Sequence, residues 1–222
     1  MKLFFSYFID LLFFIGALLI VITSGCHKSN CNCPEVTAEN CSCKNFILYS
    51  EGADSSSNHW WPSGWMGALT AMTCNTNCNV NPYSGSTCIK ITYDPNNSVK
   101  WVGIYWLNQN SWNGPGNNIY KIYNICDSCK YKVTFWSRGV TDKEKIEFIV
   151  GGVESGNDSI DTLVSTGYIT LSNSWQKYEI DIRNKNLTNL VGGFCFATNN
   201  IHNQTNNMIV FYLDDIIYEV TN

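Results

Sequence analysis

The sequence predicts an all-β domain, an antiparallel β-sandwich of the jelly-roll type, preceded by an N-terminal signal or anchor segment. Short apolar or alternating runs follow one another from Ile47 onward, and clusters of Gly, Asn, Ser and Pro separate them. Beyond the N-terminus, no stretch shows helical periodicity over three turns. The runs in chain order are ILYSE, TCIKITY, KWVGIYWL, YKVTFWS, KIEFIVGG, TGYITL, WQKYEIDI, GGFCFAT and IVFYLDDIIYEV.

The first element is an export signal. A basic residue, Lys2, precedes the apolar run Leu3–Ile22, and the run ends in TSGC, which resembles the bacterial lipobox. We therefore predict that residues 1–25 are a lipoprotein signal peptide and that Cys26 carries the lipid. An uncleaved anchor is the alternative, because about 20 apolar residues span a bilayer. Either interpretation predicts a membrane-anchored protein outside the cytoplasm.

The second element, residues 26–46, is a Cys-rich juxtamembrane linker before the β domain at 47–222. The chain has 11 cysteines, and assigning Cys26 to the lipid leaves an even number, as expected of disulfides in an exported chain. Two CxC pairs lie close together in a short polar stretch, and we expect them to form a disulfide-stapled knot. Zinc is the alternative for such a thiol cluster. These four cysteines are Cys31, Cys33, Cys41 and Cys43.

The remaining cysteines belong to the β domain. Cys126 and Cys129 form a CxxC followed by YKVTFW, which is strand-like, whereas a redox CxxC precedes a helix. We therefore expect a structural bridge there. Cys74, Cys78 and Cys88 lie near one another around a predicted turn.

The stretch KWVGIYWLNQNSWNGPG is the richest in aromatic residues. Strand alternation places Trp101 and Tyr105 on one face and Trp106 on the other, so both faces carry a large ring. A half-exposed antiparallel strand normally has one polar face. The second face is therefore either covered or used for binding a ligand.

Composition excludes one class of partner and disfavours one class of activity. The net charge of −4 and sparse charged residues offer no basic surface for nucleic acid. Glycan hydrolysis needs two facing carboxylates, but Glu144 and Glu147 are three positions apart and face opposite sides of a strand. A glycoside hydrolase or polysaccharide lyase remains an alternative, as does an adhesin or envelope-structural protein. We expect a monomer.

The last run, FYLDDIIYE, suggests a cation. Continued alternation from Phe211 would turn Asp215 inward, which is costly unless the carboxylate is paired or binds a metal ion. Calcium takes such oxygen ligands, and Glu51 of the first strand is the natural second ligand. The alternative is that Asp214 and Asp215 cap a solvent-facing turn.

Several motifs resemble a known superfamily. YSEG, WQKYEIDI and FYLDDIIYE are similar to strands of the galactose-binding-like jelly rolls, which include many non-catalytic carbohydrate-binding modules. A closer likeness is to uncharacterised bacterial secreted domains, often lipoproteins. These carry stretches like PSGWMG, NPYSGSTCIKITY, WVGIYW, VTFWSRG, GGFCF and YLDDI in this order, over residues 47–220.

The resemblance implies surface-anchored, non-catalytic polysaccharide binding with a structural calcium. The implied calcium ligands are Glu51, Asp215 and also Asp214. We expect Trp136 and Trp175 to belong to the core, because their neighbours are apolar. The expected ligand residues are exposed rings with polar partners, namely Trp61, Trp65, Trp101, Tyr105, Trp106, Trp112, Asn110, Arg138 and Glu144.

Overall fold

The computed structural model describes residues 41–52, 58–108, 116–152, 154–155, 159–160 and 163–221. The signal segment, the predicted lipidation site Cys26 and the predicted ligand residues Asn110 and Trp112 lie outside these ranges and stay predictions. No helix within the described ranges is both long and apolar enough to cross a membrane.

The described chain is built mainly of β-strands. In chain order they are β1 Phe46–Tyr49, β2 Trp61–Gly67, β3 Met72–Cys78, β4 Cys88–Tyr93, β5 Trp101–Leu107, β6 Tyr131–Gly139, β7 Lys145–Val150, β8 Glu154–Ser155, β9 Ser159–Ile160, β10 Val164–Thr170, β11 Gln176–Asp181, β12 Gly192–Asn199 and β13 Ile209–Val220. The short helices are α1 Ile119–Tyr123, α2 Asn200–Asn203 and a 3₁₀ turn at Leu69–Ala71.

The strands form two antiparallel sheets. The six-stranded sheet has the order β11-β6-β13-β4-β3, with β1 also paired to β13. The five-stranded sheet has the order β10-β7-β12-β5-β2, and β8 pairs with β9 in a separate ribbon. The predicted fold class, an antiparallel β-sandwich, is confirmed.

Aromatic side chains join the two sheets in the core. Phe135 of the six-stranded sheet lies 4.5 Å from Phe148 and 5.0 Å from Phe194 of the five-stranded sheet, measured between ring centroids. Phe211 and Phe196 make a similar contact at 5.0 Å. Such ring pairs contribute about 0.5–1.5 kcal/mol each beyond the area they bury. Because the inward positions fill the core, the outward positions of each sheet are left for other roles.

The sequence does not predict β2, because SSSNHWWPSGWMGALTAMT, residues 55–73, has the composition of a long loop. It does not predict β3 either, because the predicted runs contain no part of that strand. Pro62 and Gly64 interrupt any alternation, and the register shifts between them. Strand β2 forms because it lies at the edge of the five-stranded sheet, where proline is tolerated, and because β5 supplies its ladder. Pairing with a distant strand overrides weak local propensity.

In the last strand, β13, the alternation of inward and outward side chains shifts by one residue at Asp214 and Asp215. Leu213 is buried, and the next residue buried toward the core is Ile216 rather than Asp215. Asp215 has a φ of 43°, and the register with β6 shifts between Asp214 and Ile217. This is a β-bulge, which inserts an extra residue and restarts the alternation. The prediction that Asp215 lies inward is therefore wrong.

Two disulfides attach the segment before β1 to the sandwich. Cys41 bonds to Cys126, and Cys43 bonds to Cys129, with Cα–Cα distances of 5.0 and 5.5 Å. The CxC pair therefore does not close a knot within the linker, and the CxxC does not bridge internally. The backbone carbonyl of Lys44 also accepts a hydrogen bond from the Tyr131 hydroxyl. Such bridges suit a protein outside the cytoplasm.

Candidate functional site

The alternation of β5 divides its aromatic residues between the two faces of the five-stranded sheet. Val102, Ile104 and Trp106 are fully buried, whereas Trp101 is 43% exposed and Tyr105 is half-buried on the outer face. The Trp106 ring packs edge-on against aromatic residues of both sheets. Trp106 is thus a core residue, and its prediction as a ligand residue is wrong.

Small residues occupy the middle of the outer face. Gly103 of β5 lies opposite Ala197 of β12. A Cβ at Gly103 would lie 2.7 Å from the carbonyl oxygen of Phe196 and 2.9 Å from Cε of Met66, so glycine is required. Gly103 and Ala197 therefore place two small residues side by side on the outer face, next to the rings of β5.

Tyr168 of β10 lies on the other side of this surface and is held in place. Its ring stacks on His202 of α2, with centroids 3.7 Å apart and planes 10° from parallel. Asn199 donates a hydrogen bond to the Tyr168 hydroxyl at 2.7 Å. Burial raises the pKa of Tyr168, and the nearby charge of Glu147 adds to this rise. The hydroxyl therefore stays protonated at neutral pH.

Glu147 of β7 lies in register between the small residues and this ring, since it pairs with Ala197 on one side and Tyr168 on the other. The Ser165 hydroxyl donates a hydrogen bond to its carboxylate. We call Trp101, Tyr105, Ala197, Glu147 and Tyr168 the ring-lined strip. It runs across four neighbouring strands and combines rings, short side chains and one carboxylate.

Trp61 and Trp65 belong to β2, the strand next to β5, and lie on opposite faces of the five-stranded sheet. Trp61 pairs with Leu107 and is half-buried on the same face as Tyr105. Trp65 pairs with Ile104, so the register places it on the core-facing side at the sheet edge, where it is 37% exposed. The structure brings Trp61 toward the strip but not Trp65.

Arg138 of β6 lies on the outer face of the other sheet. Its guanidinium carbon is 3.8 Å from the centroid of the Tyr212 ring and 5.2 Å from that of Trp175. It also donates a hydrogen bond to the Val80 carbonyl at 3.3 Å. The strip is on the five-stranded sheet, so Arg138 does not contribute its charge there, and that prediction is wrong.

Trp136 and Trp175 are not core residues, contrary to the prediction. Both are half-buried on the outer face of the six-stranded sheet. Tyr83, from the turn between β3 and β4, stacks on Trp136 with centroids 3.6 Å apart. The Trp175 indole donates a hydrogen bond to the Asn81 carbonyl at 3.0 Å. The turn thus covers a second set of rings.

Glu144 is used for structure rather than for ligand binding. It is 4% exposed and lines a surface cavity of about 330 Å³ at one end of the sandwich. Its carboxylate accepts hydrogen bonds from the backbone N–H groups of Thr141 and Lys143 and from the Thr141 hydroxyl. These donors occupy the group, so its prediction as a ligand contact is wrong.

Two of the predicted calcium ligands, Glu51 and Asp214, hold the turn between β3 and β4. The Asp214 carboxylate accepts hydrogen bonds from the backbone N–H groups of Tyr83 and Ser84, and Glu51 accepts from the N–H and hydroxyl of Ser86. Burial, with a smaller contribution from the charge of Asp215, raises the pKa of Asp214 to about 6 despite these donors. Among the described residues, no cluster of three or more His, Cys, Asp or Glu is arranged to hold a metal.

Sequence reasoning missed the far side of the strip. Tyr168 and Asn199 are not among the predicted ligand residues, and Glu147 is considered only as a catalytic acid. The pattern of KIEFIV does place Glu147 on the outer face of its strand. The register of β10 shifts between Ser165 and Tyr168, which hides the face of Tyr168 from simple alternation.

No protein-family model matches the sequence, and no curated protein matches it. Among solved structures, a family 30 carbohydrate-binding module superimposes with a TM-score of 0.55 at 10% identity, covering 81% of this chain and 100% of that chain. The family 30 module of a cellulosomal cellulase from Clostridium thermocellum gives a TM-score of 0.53 at 10% identity, covering 79% and 97%. At this identity the likeness shows a shared sandwich fold.

Proposed function

We propose that the protein binds a polysaccharide through the ring-lined strip without cleaving it. The observation that carries this proposal is the placement of aromatic rings around a row of residues that crosses four strands. The exposed Trp101 and the half-buried Tyr105 flank Gly103 at one end of this row. Tyr168 lies at the other end, beyond Ala197 and Glu147. A pyranose has an apolar face that stacks on aromatic rings and a fringe of hydroxyls that needs hydrogen-bonding groups. The two solved structures described above are carbohydrate-binding modules by name, which agrees with this function.

The polar groups of the strip favour binding over hydrolysis. Glu147 is the one carboxylate among the described side chains on this face, whereas glycosidases generally use two. Its oxygens accept hydrogen bonds from sugar hydroxyls, and the amide of Asn199 both donates and accepts. The acidic residues Asp158 and Asp161 of the loop before β10 lie outside the described residues.

Affinity electrophoresis in gels containing soluble polysaccharides tests this function. Ala197→Leu places a bulky side chain in the middle of the strip, so we expect retention by a binding polysaccharide to be lost. Thr92→Leu makes a similar change on the outer face of the other sheet and should bind like the wild type. Retention of Ala197→Leu equal to that of the wild type would refute the assigned site. Release of reducing sugar would instead indicate a hydrolase.

We also propose a structural calcium near the turn at residues 83–86. Glu51 and Asp214 both contact this turn, and carboxylate oxygens are the ligands that calcium prefers. A cation there would relieve the unfavourable burial of the Asp214 charge. Calcium at this place would stabilise the fold far from the strip and take no direct part in binding.

We also propose that a lipid on Cys26 attaches the protein to the membrane. A lipid at this position would hold the domain outside the cytoplasm, where polysaccharides occur. We expect Cys26→Ala to leave the protein unprocessed and to abolish incorporation of labelled fatty acid. Membrane-bound protein with unaltered processing would show that the segment is a spanning anchor. If no glycan is retained at all, the exposed rings would favour an adhesin that binds a protein partner.

A further inference from the structure

Two thiols face each other in the hairpin of β3 and β4. Cys78 is the direct partner of Cys88 in the ladder. The register of this ladder shifts by one residue between Asn75 and Cys78. Without that shift, Asn77 would lie opposite Cys88. The irregularity is therefore what brings the two sulfur atoms onto the same face.

The geometry of this pair suits a covalent bond. Directly opposed residues of antiparallel strands have Cα atoms about 4.5–5.5 Å apart, and disulfides need about 4.4–6.8 Å. Both side chains are buried, at 4% and 2% exposure, and pack with Tyr212. We propose that Cys78 and Cys88 form a third disulfide in the exported protein.

No other pairing is available to these two thiols among the described residues. Cys74 pairs with Ile91 and packs against the core between the sheets, which is the opposite face of β3. Cys195 lies in the ladder opposite Tyr105, in the other sheet. The remaining described cysteines already form bridges. Of the four described free thiols, only the Cys78–Cys88 pair shares a face.

The bond forms by thiol–disulfide exchange. An oxidant of the disulfide class accepts two electrons and two protons from the two thiols and is released as two thiols, while the sulfur atoms of Cys78 and Cys88 join. Burial, with the neighbouring Cys78, raises the pKa of the Cys88 thiol to about 12. Little thiolate is therefore present in the folded state. Exchange is consequently faster before the hairpin closes, and the finished bridge is protected from reductants.

The bridge closes the turn at residues 79–87. This turn supplies the N–H groups that bind Asp214 and Glu51, and it carries the ring of Tyr83 that covers Trp136. A covalent link at its base would restrict the turn in the unfolded chain and hold these donors near the carboxylates. The proposal is independent of carbohydrate binding, because the hairpin belongs to the sheet that lacks the strip.

Peptide mapping of the exported full-length protein tests the bridge. Free thiols are first blocked with N-ethylmaleimide in denaturant, and chymotrypsin then cleaves after Tyr83, the only aromatic residue between the two cysteines. We expect the peptides containing Cys78 and Cys88 to remain linked until reduction. Cys74 and Cys195 should carry the label before reduction.

Labelling of Cys78 and Cys88 before reduction would overturn the proposal, as would a bridge from either of them to Cys74. Cys88→Ser should leave Cys78 open to the label and lower the melting temperature by roughly 5–10 °C. Cys74→Ser is the matched control and should leave the bridge intact. If Cys88→Ser fails to fold, the wild-type peptide map still decides the question.

Discussion

Both outer faces of the sandwich carry aromatic rings, but the rings are arranged differently on the two faces. On the six-stranded sheet, Tyr83 stacks on Trp136, and the cation of Arg138 lies over Tyr212. On the five-stranded sheet, Trp101 is exposed, and Ala197 and Glu147 lie in register between β5 and the ring of Tyr168. Aromatic content alone therefore does not identify a binding face. The decisive feature is whether other parts of the same chain cover the rings.

The largest expected effect is on stability, and it concerns Trp106, the core-facing ring of β5. Trp106→Ala removes a fully buried ring and should lower the free energy of unfolding by about 3–5 kcal/mol. Urea denaturation followed by fluorescence measures this loss. Trp101→Ala, five positions earlier in β5, is the control and should change stability by less than about 0.5 kcal/mol. Equal losses of unfolding free energy in both variants would show that the rings on the two faces of β5 contribute equally to stability.

The next largest effect concerns the carboxylates that hold the turn over the six-stranded sheet. If calcium binds there, a free concentration one hundred times its dissociation constant stabilises the fold by about 2.7 kcal/mol. We therefore expect a chelator to lower the melting temperature of the wild type. Asp214→Asn should remove this response, whereas Asp181→Asn at an exposed site should keep it. A melting temperature insensitive to chelator would remove calcium from the proposal.

On the open face, the expected effect is on binding. Covering one face of a ring with sugar contributes about 1–3 kcal/mol, so Trp101→Ala should weaken binding of a retained polysaccharide roughly tenfold to a hundredfold. The melting temperature should stay nearly unchanged. Isothermal titration calorimetry and thermal denaturation of the same sample separate the two quantities. Unchanged affinity would mean that this ring is not part of the binding face.

The smallest effect is expected for the covered rings. Tyr83→Ala removes a stacking partner of Trp136, and a double-mutant cycle should give a coupling free energy of about 0.5–1.5 kcal/mol. Polysaccharide binding should be unaffected, because these rings lie on the other sheet. A loss of binding as large as that of Trp101→Ala would place the ligand on the six-stranded sheet instead.

The sequence predicted the fold class because its strongest strands are locally consistent. In β5 and in most of β13, alternation of the sequence identifies the residues that face the core, and these residues are buried. The edge strand β2 was not predictable, since Pro62 and Gly64 hide its pattern and β5 provides its hydrogen bonds. Local signals suffice where a strand alternates strictly and fail where a distant partner defines it.

The candidate site was predictable only in part. Trp101 and Tyr105 follow from the alternation of one strand. Their neighbours across the sheet depend on the strand order β5-β12-β7-β10, which no local pattern reveals. The apolar neighbours of Trp136 predict a core position, but the ring that covers it, Tyr83, comes from a turn far away in the chain. Which rings are covered is therefore a property of the tertiary fold.

The two disulfides before β1 also decide how the domain would carry a mechanical load. Cys41 and Cys43 precede β1, a strand of 4 residues, while their partners precede β6, a strand of 9 residues between β11 and β13. Tension applied from the N-terminal side enters through these covalent bonds. It therefore reaches the interior of a sheet without first pulling on the few hydrogen bonds of β1. A domain tethered at that end would resist being unzipped from its first strand while it held a ligand under flow.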